Sequence, residues 1–559
     1  MPRVAPPGGR VYAACLPTTW RFHELPIAAT GAMCLDGSPY GFFFDGGPGE
    51  SSTPSRASRK RAMSGMSNNE SWVIFFEGGG WCVSPEDCAM RAEGVGGSSS
   101  AWLKDESKTA FGGLVNRCCF FTHFCRFRRV VLKSCDGHSF AGNATINVPP
   151  RADRPLDARG APSTVQLQSA GQAIVRGVLS ELLTHFGLAQ AKSLLVVGCS
   201  AGGMAALLNA EFIRSELAAR GVHPRRFKVA ALAGVFFPPL PAHAGPSSLT
   251  TSTSHVPPRS LSSATYRKPS SGVQHGDGRD NSQAVRDGQS DGRRGGSGGG
   301  SRRPREPRTG ALSRTSALSP FEEQLRAAVQ QGRMRLPATC TEAMPAGEEW
   351  RCLLGLSLVE ALPHDLPAFV HQSRLDLWQA NCVLGAGRSR YFQANCSARQ
   401  EWRGCLGWMS PLKRTSNCSA RQWSALRAWE TANHESLTAS TGALRRPGYG
   451  AFVHSCYDHC PSTWALVSTG AFGQSPGATH NDSVSARDAL YEWFSSSEAH
   501  EALQHTHVGC WNGAVARGAN APLPSWCQGR QECGPAEKMH RDPARLLERE
   551  IRNRGWRSR

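Results

Sequence analysis

The sequence has no run of about 18 consecutive apolar residues, so no segment is predicted to cross a membrane as a helix. It has no Cys-x-x-Cys pair and no cysteine–histidine cluster with zinc-finger spacing, so we expect no metal site. The first residues, "MPRVAPPGGRVYAACLPTTW", lack the apolar stretch of a signal peptide. Either this start is truncated or misassigned, or the protein stays inside the cell.

Cysteine, in contrast, is abundant, with 20 residues in the 559. In the absence of metal-binding spacing, this number favours disulfides and an oxidising compartment, so we expect a secreted protein. Five Asn-x-Ser/Thr sequons are compatible with secretion. They begin at Asn69, Asn143, Asn395, Asn417 and Asn481.

The formal net charge of +19 raises the question of a nucleic-acid partner. Residues 241–320 alone contribute +7, from twelve Lys/Arg against five Asp/Glu, and they are rich in Ser, Gly and Pro. Such a segment buries too little apolar surface to fold, so we predict a disordered basic insertion and no nucleic-acid partner. The segments "SRASRKR" (Ser55–Arg61) and "RDPARLLEREIRNRGWRSR" at the end of the chain are further exposed basic pieces, so much of the charge belongs to exposed segments.

Short apolar runs alternate with helical patterns along the rest of the chain. The runs include Trp72–Phe76, Val130–Leu132 and Ser193–Val197, and "AGQAIVRGVLSELLTHFG" has the 3.6-residue period of a helix. This alternation predicts an α/β fold with a mixed, mostly parallel sheet flanked by helices, and a ligand site at the carboxyl ends of the strands.

Five segments are predicted. They are a poorly patterned N-terminal segment (1–25), the first part of the α/β domain (26–240), the insertion (241–320), the second part of that domain (321–510), and a cysteine-containing basic tail (511–559).

The stretch "LLVVGCSAGGMAALLNAEF" places Ser200 between glycines, where an apolar strand ends and an amphipathic helix begins. Gly-x-Ser-x-Gly in this context is the nucleophile elbow, in which a strained turn exposes the serine hydroxyl. A glycine-rich turn with a spectator serine is the alternative. The strand before the motif and the helix after it favour the nucleophile.

A serine nucleophile needs a base, an acid that orients the base, and donors for an oxyanion. The favoured base is His459, with His454 as the alternative. The favoured acid is Asp376, with Asp365 and Asp136 as alternatives. The order Ser200, Asp376, His459 is that of α/β-hydrolase enzymes. The glycines of "EGGGWC" (Glu77–Cys82) would let backbone N–H groups approach an oxyanion.

Six blocks in the same order resemble the pectin acetylesterase family, which includes the Notum carboxylesterases. They are "AMCLDGSPYGFFFDGG", "FFEGGGWCVSPEDC", "VVLKSCDGHSFAGN", "VVGCSAGGMAALLN", "SRLDLWQANC" and "FVHSCYDHC". The resemblance implies a disulfide-supported α/β-hydrolase-like fold, with Ser200 as nucleophile, Asp376 as acid and His459 as base. It implies the backbone N–H groups of Gly80, Trp81 and Ala201 as oxyanion donors. It also implies disulfide partners among the cysteines near the motifs, such as Cys82, Cys88, Cys340 and Cys352, with the pairing left open.

The expected function is therefore a serine carboxylesterase that removes acetyl groups from a cell-wall polysaccharide such as pectin. We expect a monomer, secreted or located in the cell wall, that uses no cofactor. A Notum-like enzyme that removes a fatty acyl group from a protein is the first alternative. A non-catalytic carbohydrate-binding relative is the second, and the intact triad positions disfavour it.

Overall fold

The structure is a computed structural model, which describes the chain in several ranges. These are residues 20–46, 70–104, 113–116, 122–149, 165–239, 318–387, 389, 396, 400–402, 404–406, 418–439, 442–454, 459–460, 486–496 and 503–506. The predicted insertion, apart from residues 318–320, and the predicted tail lie outside these residues, as do four of the five sequons. Only Asn143 is described, and it is exposed.

Nine strands of the described chain form one sheet, in the order β1-β2-β4-β3-β7-β8-β9-β10-β11. Strands β1, β2 and β4 pair antiparallel, and every pairing from β4 to β11 is parallel. A second sheet consists of β5 and β6. The strands are β1 Arg21–Glu24, β2 Gly41–Asp45, β3 Ser71–Phe76, β4 Arg128–Leu132, β5 Ala144–Val148, β6 Val165–Ser169, β7 Ser193–Cys199, β8 Arg226–Leu232, β9 Ala368–Ser373, β10 Gly450–His454 and β11 Leu503–Thr506.

Ten α-helices accompany the strands within the described ranges. They are α1 Ile27–Thr30, α2 Pro85–Ala92, α3 Gly171–His185, α4 Ala201–Ala219, α5 Pro320–Gly332, α6 Ala338–Thr341, α7 Ser357–Glu360, α8 Leu377–Gln379, α9 Ala420–Thr438 and α10 Ala486–Ser495. Short 3₁₀ turns lie at Ser99–Ala101, Gly113–Val115, Leu188–Gln190, Glu349–Leu353, Gln400–Trp402 and Ala443–Arg445, and a π-helical segment at Ala380–Leu384. None of the helices in this part of the chain has the length and apolar character needed to cross a membrane.

The central strands are buried along almost their whole length. In β7 only Ser193 is partly exposed, and in β9 every residue is buried. Strands inside a parallel sheet are covered on both faces, which explains the continuous apolar run in β7. Helix α4, also largely buried, packs against β7 and β8.

Six disulfides join described cysteines. The pairs are Cys34–Cys135, Cys82–Cys88, Cys199–Cys460, Cys340–Cys352, Cys382–Cys396 and Cys405–Cys418. The four cysteines predicted to be disulfide partners are thus bonded, Cys82 to Cys88 and Cys340 to Cys352.

The α/β class and the mixed, mostly parallel sheet are confirmed. One detail differs from the prediction. Strand β1 lies within residues 1–25, where no pattern was recognised, and it pairs with β2. Between β1 and β2 the chain forms helix α1 and an isolated bridge between Met33 and Pro39, and β2 pairs on its other side with β4.

Candidate active site

The turn at Ser200 has the strand–turn–helix form that was expected. Strand β7 ends at Cys199, Ser200 has a φ of 59°, and α4 starts at Ala201. A positive φ is unfavourable for a residue with a Cβ, and such strain is concentrated at functional turns. The Ser200 N–H donates to the carbonyl of Leu232 (2.9 Å), which attaches the turn to β8. A Cβ on Gly202 would collide with the carbonyl of Phe76, so this approach requires glycine.

His459 bridges Ser200 and Asp376. Its Nε2 lies 2.7 Å from Ser200 Oγ, and its Nδ1 lies 2.9 and 2.8 Å from the two carboxylate oxygens of Asp376. The side chain of His459 is 14% exposed and that of Asp376 is 1% exposed. The arrangement lets the imidazole accept the hydroxyl proton at Nε2 while the carboxylate holds the other ring nitrogen.

Asp376 is held by donors besides His459. It caps the short helix α8, where Oδ1 accepts the N–H of Gln379 (2.9 Å), and its Oδ2 accepts from Gln372 Nε2 (3.2 Å). The two glutamines also hydrogen-bond to the chain after β8, at Val235 and Phe237. Sequence reasoning missed both. The spacing Asp-x-x-Gln, typical of a capped helix start, was the available signal for Gln379.

The alternative acids, Asp365 and Asp136, and the alternative base, His454, lie in surroundings that differ from those of Asp376 and His459. The Asp365 carboxylate is 78% exposed and lies 2.9 Å from Arg214. Asp136 is buried, accepts the N–H of Phe140, and has its pKa raised to about 6 by desolvation. His454 is buried inside β10, with its ring 4.7 Å from that of His371.

Residues 78–81, which follow β3 and which we call the glycine segment, lie directly against the elbow. A Cβ on Gly78 would come within 2.5 Å of the Cys199 carbonyl oxygen and 2.9 Å of Ser200 Cβ. Arg91 donates to the carbonyl of Gly79 (2.7 Å), which fixes the segment from the side of α2. Gly80 has a φ of 70°, a conformation that favours glycine.

The predicted oxyanion donors belong to these two segments. Gly80 and Trp81 lie in the glycine segment, and Ala201 follows the serine as the first residue of α4. Their role remains a prediction.

Aromatic rings pack beside the candidate base. The Trp378 ring stacks on His459 at 5.7 Å and lies 5.6 Å from Trp81 and 5.3 Å from Phe236. Phe321 closes the group, with its ring 6.3 Å from that of Trp378. We call these four residues (Trp81, Phe236, Phe321 and Trp378) the aromatic cluster; all of them are buried.

One group among the described residues has metal-ligand spacing: Cys82, Cys88 and His138. The two cysteines are bonded to each other, so their sulfurs are not thiolates. Burial lowers the pKa of His138 to about 4, and its Nδ1 lies 2.8 Å from Ser169 Oγ. The group is therefore a buried polar contact next to a disulfide.

The described residues thus bring Ser200, Asp376 and His459 together after the carboxyl ends of β7, β9 and β10, with the glycine segment after β3 beside them. A sequence profile of the Pectinacetylesterase family matches residues 22–256 and 313–512. The chain belongs to the pectinacetylesterase family. This confirms the family that the six sequence blocks predicted.

Individual relatives match over shorter stretches. Pectin acetylesterase 5 of Arabidopsis thaliana is 32% identical over 188 residues, which cover 34% of this chain and 36% of that relative. The palmitoleoyl-protein carboxylesterase notum1' of Xenopus laevis is 31% identical over 186 residues, or 33% of this chain and 30% of the relative. The chain therefore spans about a third of the length of the curated relatives it matches.

Among solved structures, the Wnt deacylase Notum from Drosophila is similar, with a TM-score of 0.49 and 19% sequence identity. That match covers 87% of this chain and 97% of the Notum chain.

Proposed function

We propose that this protein is a serine carboxylesterase that hydrolyses acetyl esters of a cell-wall-type polysaccharide such as pectin. The observation that carries the proposal is the chain of contacts from Ser200 Oγ through His459 to Asp376. Membership of the pectinacetylesterase family supports the reaction class.

The proposed reaction proceeds through an acyl-enzyme. His459 takes the proton from Ser200 as Oγ attacks the ester carbonyl, and then gives it to the leaving alcohol. Water, activated by His459 in the same way, releases the acid from Ser200. Asp376 orients the imidazole throughout and stabilises its protonated form.

Negative charge develops on the carbonyl oxygen at each step. We assign its stabilisation to the backbone N–H groups of Gly80, Trp81 and Ala201. Ala201 is the first residue of the 19-residue helix α4, whose N-terminal end favours negative charge. Because its contacts hold the glycine segment in place, the backbone N–H donors of this segment are already positioned before the reaction begins.

The aromatic cluster supports a short acyl group. Trp378 stacks on His459 and the other three rings pack against Trp378, so a long acyl chain that entered there would have to displace them. A site for long chains gains about 0.8 kcal/mol for each buried CH₂ group, and this requires an apolar space that the chain can fill.

The six disulfides support an oxidising, extracellular location.

Replacing the nucleophile tests the mechanism. Ser200→Ala should lower the turnover of p-nitrophenyl acetate by a factor of about 10⁴ or more, because only the attacking hydroxyl is removed. The melting temperature of the purified variant serves as the control for folding. Turnover close to that of the wild type would exclude Ser200 as the nucleophile.

The substrate class is tested with p-nitrophenyl esters of increasing acyl length, assayed beside acetate release from acetylated pectin and acetylated xylan. We expect acetate or butyrate esters to give the highest kcat/KM, and at least one polysaccharide to lose acetate. A preference that rises steadily to octanoate, without acetate release, would establish the lipid-deacylase alternative.

A further inference from the structure

The disulfide Cys199–Cys460 occupies an unusual place in the site. Cys199 immediately precedes Ser200, and Cys460 immediately follows His459. The bond joins two chain segments that are 261 residues apart, with a Cα–Cα distance of 5.8 Å. It therefore links the residue before the candidate nucleophile to the residue after the candidate base.

The two ends of the bond differ in their surroundings. Cys199 is the last residue of β7; it pairs with Leu232 of β8 and is 7% exposed. Cys460 is exposed and lies beyond the end of β10 at His454. The disulfide thus attaches the segment of His459 to the rigid centre of the sheet.

The other contacts of the His459 ring are non-covalent. They are the hydrogen bonds to Asp376 and Ser200 and the stacking on Trp378. Catalysis needs the reacting atoms held within about 0.5 Å of the productive geometry. A covalent bond one residue away restricts the backbone in a way that these contacts cannot.

We propose that the Cys199–Cys460 disulfide is a positioning bond, which holds His459 Nε2 against Ser200 Oγ. This inference rests on the proposed esterase function. It assigns to the cysteine beside the nucleophile a role in catalytic geometry rather than in the stability of the fold alone.

The test is the double variant Cys199→Ala/Cys460→Ala, compared with Cys340→Ala/Cys352→Ala. The control removes a disulfide by the same substitutions, but its cysteines are 12 residues apart and neither adjoins a triad residue. Displacement of a catalytic group by about 1 Å costs roughly 10²-fold in rate. We therefore expect kcat on p-nitrophenyl acetate to fall by about that factor in the first variant, with KM nearly unchanged and with kcat of the control retained.

Hydrogen–deuterium exchange of the peptide that contains His459 gives a second measurement, which does not require turnover. We expect faster exchange in the Cys199→Ala/Cys460→Ala variant and no change in the control. Unchanged exchange, or a kcat equal to that of the control, would overturn the inference. If the wild type hydrolysed no ester, the proposed function would fail, and the exchange result would still decide whether the bond restrains His459.

Should the double variant fail to fold, the folded wild type can be reduced with a phosphine instead, because Cys460 is exposed. Alkylation and mass spectrometry of one aliquot then report which cysteines are free, while kcat and its recovery on reoxidation are measured on a second aliquot that is not alkylated. Loss of kcat should follow the reduction of Cys199 and Cys460 and should reverse when the unalkylated protein is reoxidised. Full activity with both cysteines labelled would contradict the role.

Discussion

At the scale of single residues, the candidate site depends on how closely two backbone segments approach each other. The glycine segment touches the elbow through Gly78, where any side chain would meet the Cys199 carbonyl and Ser200 Cβ. The glycines of "EGGG" predicted backbone N–H groups that can approach an oxyanion. The structure adds that the first of these glycines is also needed to avoid a collision.

Gly78→Ala should therefore lower kcat strongly, by about 10²-fold or more, because the glycine segment must move away from Ser200. The matched control is Gly94→Ala, where an added Cβ meets nothing within 4 Å. Steady-state kinetics on p-nitrophenyl acetate and thermal unfolding should be measured for both. Equal kcat values in the two variants would show that the close approach at Gly78 has no bearing on turnover.

At the scale of elements, the strands that carry the site were predictable because they are continuous apolar runs ending in polar residues. β3, β4 and β7 have this pattern. The sequence could not predict the pairing of β5 with β6, or the sheet position of β1, because short strands with mixed burial owe their pairing to tertiary contacts.

The same limit applies within the site. Ser200, Asp376 and His459 were found from motifs and their order. Gln372, which donates to Asp376, belongs to β9 and has no local signal, because its role depends on how the strand faces the chain after β8.

Helix α5 gives a prediction at this scale. It begins with a capping box in which Ser319 Oγ accepts the Glu322 N–H (3.3 Å) and Glu322 accepts the Ser319 N–H (2.8 Å). Ser319→Ala should lower the free energy of unfolding by about 1 kcal/mol, whereas Ser319→Asp should retain most of it. Urea unfolding of both variants is the measurement. A Ser319→Ala protein as stable as the wild type would mean that the cap is dispensable.

At the scale of the whole molecule, three buried titratable groups link stability to pH. Desolvation lowers the pKa of His138 and of His371 to about 4 and raises that of Asp136 to about 6. The unfolded chain protonates its histidines near pH 6.5, so each histidine's contribution to stability is lost as the pH falls from about 6.5 to 4. Asp136 acts in the opposite direction, because the folded protein keeps a proton that the unfolded chain releases near pH 3.9.

Asp136→Asn removes this opposing contribution while retaining an oxygen that can accept the Phe140 N–H. Between about pH 4 and 6, the free energy of unfolding of the variant should rise with pH more steeply than that of the wild type. The difference between the two slopes should correspond to about one bound proton. Urea unfolding at several pH values in this range gives the two slopes. Parallel slopes would place the Asp136 pKa in the folded protein near its ordinary value.

The order of strands in the sheet has a consequence for biosynthesis. Strand β8 ends at Leu232 and its partner β9 starts at Ala368, so 135 residues must be made between them. At about 5–20 residues per second, the apolar edge of β8 waits on the order of ten seconds for its partner. An open edge of this kind can pair with other chains, so the nascent protein is exposed to aggregation during that interval.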